Sequence, residues 1–235
     1  MERIPHAHDE EQSVEVVGAD GTKGGWIAVR LADGRYEEAR FFPEFDALLR
    51  AFSTATAITV DIPIGLPVRG RRQADLEAKS VLESLRNSVF FVPPRPALEA
   101  PTFEEAVRIA RSLGSSMSQQ IYSLRHKIFE VDGLASDRRI VEVHPEVSFW
   151  ALNKSSALKH KKKSWNGLMK RLELLRKAGV ELPAMVDGTD DAPADDIIDA
   201  AAAAWSALRV ARGQARSLPE PPEIGETSRP VAVWY

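Results

Sequence analysis

The chain of 235 residues contains no cysteine. That absence excludes a disulfide framework and any thiolate metal site, and it suits a reducing cytosol. Aromatic residues make up only 7%, and no apolar stretch is long enough to act as a signal peptide at the start or to span a bilayer later. A soluble, cytoplasmic protein with no membrane partner is therefore expected. A surplus of one charge is missing too: 31 basic residues stand against 34 acidic ones, for a formal net charge of -3. Binding to a polyanion would have to come from a local basic patch or from metal ions rather than from the overall charge. No internal repeat at a fixed period occurs. What is present, 44% hydrophobic and 28% charged residues, is ordinary for one globular domain with a real core.

Residues 1–12 are polar and read as a flexible leader, residues 13–215 as a single domain, and residues 216–235 as a C-terminal tail that is extended or mobile. Residues 14–19 are apolar and rich in β-branched side chains, which suits a strand covered on both faces. Strands over 26–31 and 36–42 follow, joined by the hairpin signal Asp33-Gly34. A short helix over 45–52 leads to a fourth strand, 56–62, stopped by Pro63; a helical connection implies a parallel crossover. A helical insertion, about 71–128, falls into stretches 71–90 and 102–128 around Val92-Pro93-Pro94-Arg95-Pro96. The second stretch has a capping box, Thr102 with Glu105, and an apolar stripe running from Phe103 to Leu124. A fifth strand, 139–144, places Val141 and Val143 on one face and Glu142 and His144 on the other. Helices over 165–178 and 195–212 complete the chain, separated by an acidic, turn-rich segment. The class is α/β: a mixed five-stranded sheet, three antiparallel strands and then parallel ones, flanked by helices.

Chemistry-bearing residues cluster at the ends of these elements. Asp20 ends the first strand inside Gly18-Ala19-Asp20-Gly21-Thr22-Lys23-Gly24-Gly25, where glycines let backbone approach a ligand and Lys23 reaches a phosphate. The same Asp-Gly pair can simply turn a hairpin. Asp61 is an acid in an apolar strand and needs either a metal or a partner such as Arg69 or Arg71. Asp196 and Asp199, three apart, share one face of the closing helix, while Ile197, Ile198, Ala201, Trp205 and Leu208 form its core stripe. Dipole complementarity at a helix start accounts for Asp195 as a cap and for Asp196, but less well for Asp199. Carboxylates from three distant segments are costly to crowd without a divalent cation, which points to metal-dependent phosphoryl or phosphodiester chemistry. Glu142 offers a further carboxylate, and His144 is either an acid/base or phosphate contact or a satisfied strand-end histidine. The basic groups, Arg69-Gly70-Arg71-Arg72, Arg95, Arg125-His126-Lys127 and residues 159–163, are solvated faces unless the fold brings them to the acidic cluster, where they would hold a phosphate backbone.

The element order resembles the ribonuclease H-like fold, and Asp196-Ile197-Ile198-Asp199-Ala200 is similar to the closing D-x-x-D-A of Holliday-junction resolvases. Gly18-Ala19-Asp20, Asp61-Ile62-Pro63-Ile64-Gly65-Leu66, Glu142-Val143-His144-Pro145-Glu146, Lys162-Lys163 and Asp195-Asp196-Ile197-Ile198-Asp199-Ala200 together resemble an uncharacterised prokaryotic family described as predicted nucleases of that fold. The resemblance implies that strands one and four lie side by side with Asp20 and Asp61 together, and that the closing helix delivers Asp196 and Asp199. It implies magnesium or manganese on those four aspartates as a two-ion site, the ions about 4 Å apart, with Glu142 completing the catalytic carboxylates. DNA or RNA would be the partner, met by Lys23, Arg71, Arg95, Arg125, His144, Lys162 and Lys163, and a homodimer is the state that resolvases adopt. The usual second acid of the better-known nucleases is often a glutamate; here it is the shorter Asp61. Residues 20–25 also look like the first phosphate loop of actin-like kinases, the alternative being an ATP-binding phosphotransferase, although those proteins need two copies of the fold. A non-catalytic nucleic-acid-binding module is the third reading. The insertion is expected to act as a lid or substrate platform.

Overall fold

Five strands, β1 (Glu15–Thr22), β2 (Gly25–Ala32), β3 (Arg35–Phe42), β4 (Ala57–Val60) and β5 (Ile140–Glu142), build one sheet in the order β3-β2-β1-β4-β5. They belong to a computed structural model that describes residues 13–189, 192–225 and 228–235; the expected leader lies outside these residues, as do residues 190–191 of the acidic segment. β1 pairs antiparallel with β2, and β2 with β3, whereas β1 with β4 and β4 with β5 are parallel. This is the mixed sheet expected from the sequence. The β2–β3 hairpin turns through Asp33 (φ 51°) and Gly34 (φ 87°), two successive positive-φ positions that an Asp-Gly pair supplies at low cost. Helix α1 (Phe45–Ala51) makes the crossover to β4.

Alternation along the strands divides the core into two layers. Val17, Ala19, Trp26, Ile58 and Val60 pack on one side with Phe45 of α1 and Ile121 and Ile128 of helix α5 (Gln119–Gly133). Val16, Ile27, Val29 and Ala57 face the other side, covered by the closing helix α8 (Ala194–Ala211). The fully buried alanines 200–204 leave no side chains to hold α8 off the sheet. A Cβ on Gly18 would stand 1.9 Å from Ala204 N and 2.3 Å from Ala200 O, so glycine is what lets the helix backbone touch β1. Thr59 Oγ1 donates to Ala203 O at 2.7 Å and ties β4 to the same helical turn. α8 therefore lies directly over the β1–β4 pair.

The insertion contains α2 (Gln73–Val81), a 3-10 turn (Glu83–Ser88), α3 (Arg95–Leu98), α4 (Phe103–Ser112) and α5. The helix expected over 102–128 is two helices. Gly114, at φ 76°, ends α4, and Ser118 Oγ accepts from Ile121 N at 3.3 Å to start α5; these local caps override the continuous apolar stripe. The Thr102 cap is as expected, accepting from Glu105 N at 3.2 Å. α6 (Pro145–Leu152) falls where the sequence suggested no helix, and α7 is Trp165–Lys177. The C-terminal tail, expected to be extended or mobile, is held among its described residues: β6 (Ser217–Ile224) and β7 (Pro230–Trp234) form an antiparallel hairpin. Leu218, Val233 and Tyr235 pack on Ala74, Ala78 and Val147, and Trp234 bridges to Val143 beside β5. Pro219, Pro221 and Pro222 disguised β6, since proline is tolerated only on edges such as this one. No helix among the described residues is long and apolar enough to cross a membrane.

Candidate functional site

The parallel register of β1 and β4 sets Ala19 opposite Val60, and the N–H of Asp61 donates to Ala19 O at 3.2 Å. The next pair along is Asp20 and Asp61, on neighbouring strands about 4.8 Å apart. Period-2 alternation puts both on the face of Gly18 and Thr59, the one α8 covers. α8 starts just beyond these strand ends, so Asp196 and Asp199 in its first turns descend over them. All four carboxylates line one cavity of about 440 Å³, together with His144, Glu146 and Lys162. Asp20 is 7% exposed and Asp199 2%. Lys162 Nζ lies 2.5 Å from Asp199 Oδ2 and 3.6 Å from Asp195. Glu146 is held by the buried Arg171 at 2.5 and 2.7 Å. His144 caps α6 with its Nε2 3.3 Å from Ser88 O, and its buried Nδ1 has no hydrogen-bond partner among the described residues.

Negative charge is crowded here beyond what the lining cations, Lys161, Lys162 and Arg72, balance. Burial pushes the Asp20 carboxyl well above the usual carboxylate range, and Asp61, Asp199 and Asp196 push it further. Burial raises Asp61 as well, against the opposing pull of His144 and Lys162. Asp199 is pushed up to about 7 by burial, with Asp61 and Glu146 adding and Lys162 opposing. Asp196 rises through burial and Asp195, although the Thr22 hydroxyl beside it opposes the shift. Burial works against the Lys162 ammonium, but Asp199, Asp20 and Asp195 outweigh it and raise its pKa. Asp199 Oδ1 is buried and partnerless among the described residues. Such a group waits for a proton or a cation. Among the described residues no three acidic or imidazole groups are already closed around a common point, so a cation would have to draw the carboxylates inward.

The family described as "Protein of unknown function (DUF429)" matches residues 18–224. The chain belongs to the DUF429 family. No curated protein and no solved structure matches it. The DUF429 span opens in β1 at Gly18 and closes at the end of β6, and so takes in every carboxylate of the cavity.

Other residues singled out in this DUF429 sequence are placed differently. Glu142, expected among the catalytic carboxylates, pairs in register with Val60, on the sheet face opposite Asp61, yet it lines the same cavity as the four aspartates. There it takes both terminal nitrogens of Arg72 at 2.8 Å and the N–H of Ile64 at 2.7 Å. Arg72 also binds Asp75 at 2.6 Å, and all three side chains are buried. Asp195 is not the cap of α8: the N-cap is Pro193, and Asp195 instead faces Lys162 and Lys163, the latter 3.8 Å away on the rim. Lys23 sits exposed in the two-residue turn between Thr22 and Gly25, and its glycines serve packing and turning; a Cβ on Gly25 would meet Phe42 O at 2.1 Å. Arg125 lies 4.1 Å over the Tyr122 ring and donates to that residue's carbonyl. Arg71 stacks on Phe91 at 3.9 Å and Arg95 pairs with Asp132 at 2.8 Å, both lining a different cavity. His144 and Lys162 are the expected substrate contacts that share the cavity with the acids. Glu146 was passed over as a site residue; its signal was its place after Pro145 at the start of α6, a position that faces the strand ends. Arg171, its partner, carried none, since nothing in a helical pattern reveals which arginine is buried.

Proposed function

We propose that this protein is a divalent-metal-dependent nuclease of ribonuclease H-like kind, a hydrolase that cuts phosphodiester bonds of nucleic acid using magnesium or manganese. The observation that carries the reading is the convergence of Asp20, Asp61, Asp196 and Asp199, from the ends of two adjacent strands and the start of one helix, on one cavity. Their oxygens form a hard donor set that suits these ions rather than softer metals. The raised carboxyl pKa values and the partnerless Asp199 Oδ1 fit a site whose negative charge a cation offsets. When bound, the metal would supply an activated water and stabilise charge at the phosphorus. Lys162, anchored by Asp199 and Asp195, is placed to hold a phosphate oxygen. His144 lines the same cavity, with Nε2 at the Ser88 carbonyl and Nδ1 unpartnered among the described residues. Glu142 and Arg72 act as positioning residues: Glu142 accepts the N–H of Ile64, three residues past Asp61, and Arg72 holds Glu142, which fixes the segment after β4.

The test couples manganese binding by calorimetry with cleavage of single-stranded, duplex and branched DNA and RNA. Wild-type protein should bind the ion and cleave at least one substrate, and Asp61→Asn should weaken binding at least ten-fold and abolish cleavage. Cleavage that survives Asp61→Asn, or protein that takes up no ion, overturns the proposal.

A further inference from the structure

A second cavity, about 660 Å³, opens beyond the segment that follows Asp61. Residues 61–63 wall the carboxylate cavity and residues 64–69 wall this one, with Arg72 reaching both. Its charge is of the opposite sign. Six arginines line it, Arg69, Arg71, Arg72, Arg95, Arg138 and Arg229, against two carboxylates, Asp132 and Glu223. Arg72 is committed to Glu142 and Asp75, and Arg95 to Asp132. Glu223 in turn accepts from the backbone N–H of Gln73 at 2.9 Å. Arg69, Arg71, Arg138 and Arg229 have no ion-pair partner among the described residues.

Two of these guanidiniums, Arg229 and Arg71, are held in place without being neutralised, while Arg69 and Arg138 are exposed. Arg229 donates to the carbonyls of Asp137 and Ile140 at 3.2 and 2.6 Å, contacts that orient the group but leave its charge intact. Burial and then the neighbouring Arg138 lower the Arg229 pKa, the mark of like charges brought close. Arg71 is laid flat on Phe91. The apolar part of the wall is fastened down by Gly65, at φ 87°, where a Cβ would stand 2.4 Å from Val231 Cγ2 of the hairpin. Fixed planar guanidiniums match phosphate oxygens in pairs, and a cavity of this volume takes a ligand of nucleotide size.

We propose that this arginine cavity is a phosphate-binding site for a nucleotide-type ligand, distinct from the carboxylate site and independent of the nuclease reading. Arg69, Arg71, Arg138 and Arg229 supply its charge, unpaired among the described residues. The phosphates belong either to a free nucleotide or to a nucleic-acid strand, and separate arms of one experiment tell these apart.

The full-length protein in chelator, free of divalent ions, is titrated calorimetrically with ADP, with inorganic pyrophosphate and with a ten-residue oligothymidylate at fixed salt. At least one should bind without added metal, and the double variant Arg69→Ala, Arg138→Ala should weaken that binding ten-fold or more. Both side chains are exposed, so the variant should keep its melting temperature. Asp61→Asn should leave the affinity within two-fold. Binding of ADP or pyrophosphate assigns the site to a free nucleotide; binding of the oligonucleotide alone assigns it to a strand. Absence of binding in all three arms, affinity unchanged in the double variant, or binding lost with Asp61→Asn overturns the proposal.

Discussion

Replacing Gly18 by alanine tests how α8 is docked. At an unobstructed strand position this change would stabilise a protein by about 0.4–1 kcal/mol, because alanine narrows the unfolded ensemble. Here the new methyl would lie 1.9, 2.3 and 2.5 Å from Ala204 N, Ala200 O and Ala203 C, all backbone atoms with no rotamer to yield. Ordinary contact begins at about 3.5 Å, so the helix must lift by roughly 1.5 Å. Such overpacking costs about 1–3 kcal/mol. Lifting also breaks the buried bond from Thr59 Oγ1 to Ala203 O, which contributes about 1 kcal/mol. The sum, about 2–4 kcal/mol, corresponds to a fall in Tm of roughly 4–16 °C for a chain of this length. Far-UV circular dichroism melts measure it. Gly24→Ala is the control: no atom lies within 4 Å of its Cβ, and only the positive φ of 80° penalises it, so its melt should fall by far less. A Gly18→Ala melt within about 2 °C of wild type would refute the close docking of helix on strand.

Arg72→Met should cost about 3–5 kcal/mol, because it strands Glu142 and Asp75 as unpaired buried carboxylates; denaturant titration should show the loss, and a midpoint close to wild type would show the three-residue cluster to be dispensable. The pH dependence of stability follows from the raised carboxyls. Asp199 goes from an ordinary 3.8 to about 7, so the folded state keeps a proton that the unfolded chain releases. Its contribution is therefore fully present below about pH 4 and lost as pH rises toward 7, at up to about 1.4 kcal/mol per pH unit. Asp20, Asp61 and Asp196 shift in the same direction. Metal-free protein should accordingly melt lower at pH 7.5 than at pH 5.5, and manganese should narrow the gap; a metal-free melting temperature that rises over this window would contradict the reading.

Much of this arrangement was legible from local pattern. Strand alternation and the Asp33-Gly34 turn located the first three strands and a helical crossover made β4 parallel, whereas its place beside β1, with Asp20 next to Asp61, came from the family resemblance. The i, i+3 spacing put Asp196 and Asp199 on a shared side of α8. What failed was tertiary. β5 has only three residues, too few to reveal that Glu142, though it lines the cavity, is bound by Arg72 and the N–H of Ile64. Its partner Arg72 is distant in sequence and looks like any surface arginine. Gly18 reads as a strand-end glycine beside a ligand, whereas the approaching group is the backbone of α8. The arginine cavity escaped notice because β6, with its three prolines, did not look like a strand that would fold back to complete it.

The placement of α8 over β1 has a consequence for how the protein is made. Asp20 and Asp61 leave the ribosome early, yet their counterparts, Asp196 and Asp199, and Lys162 between them in sequence, arrive only when most of the chain has been synthesised. The sheet cannot be sealed on that face before the alanine run reaches Gly18, a contact between segments far apart in sequence, which slows its formation. A nascent or truncated chain thus exposes the apolar face of β1 and β4 and holds two neighbouring acids without their cationic partner. Completion of the cavity coincides with completion of the fold, so an incomplete copy lacks the assembled carboxylate cavity.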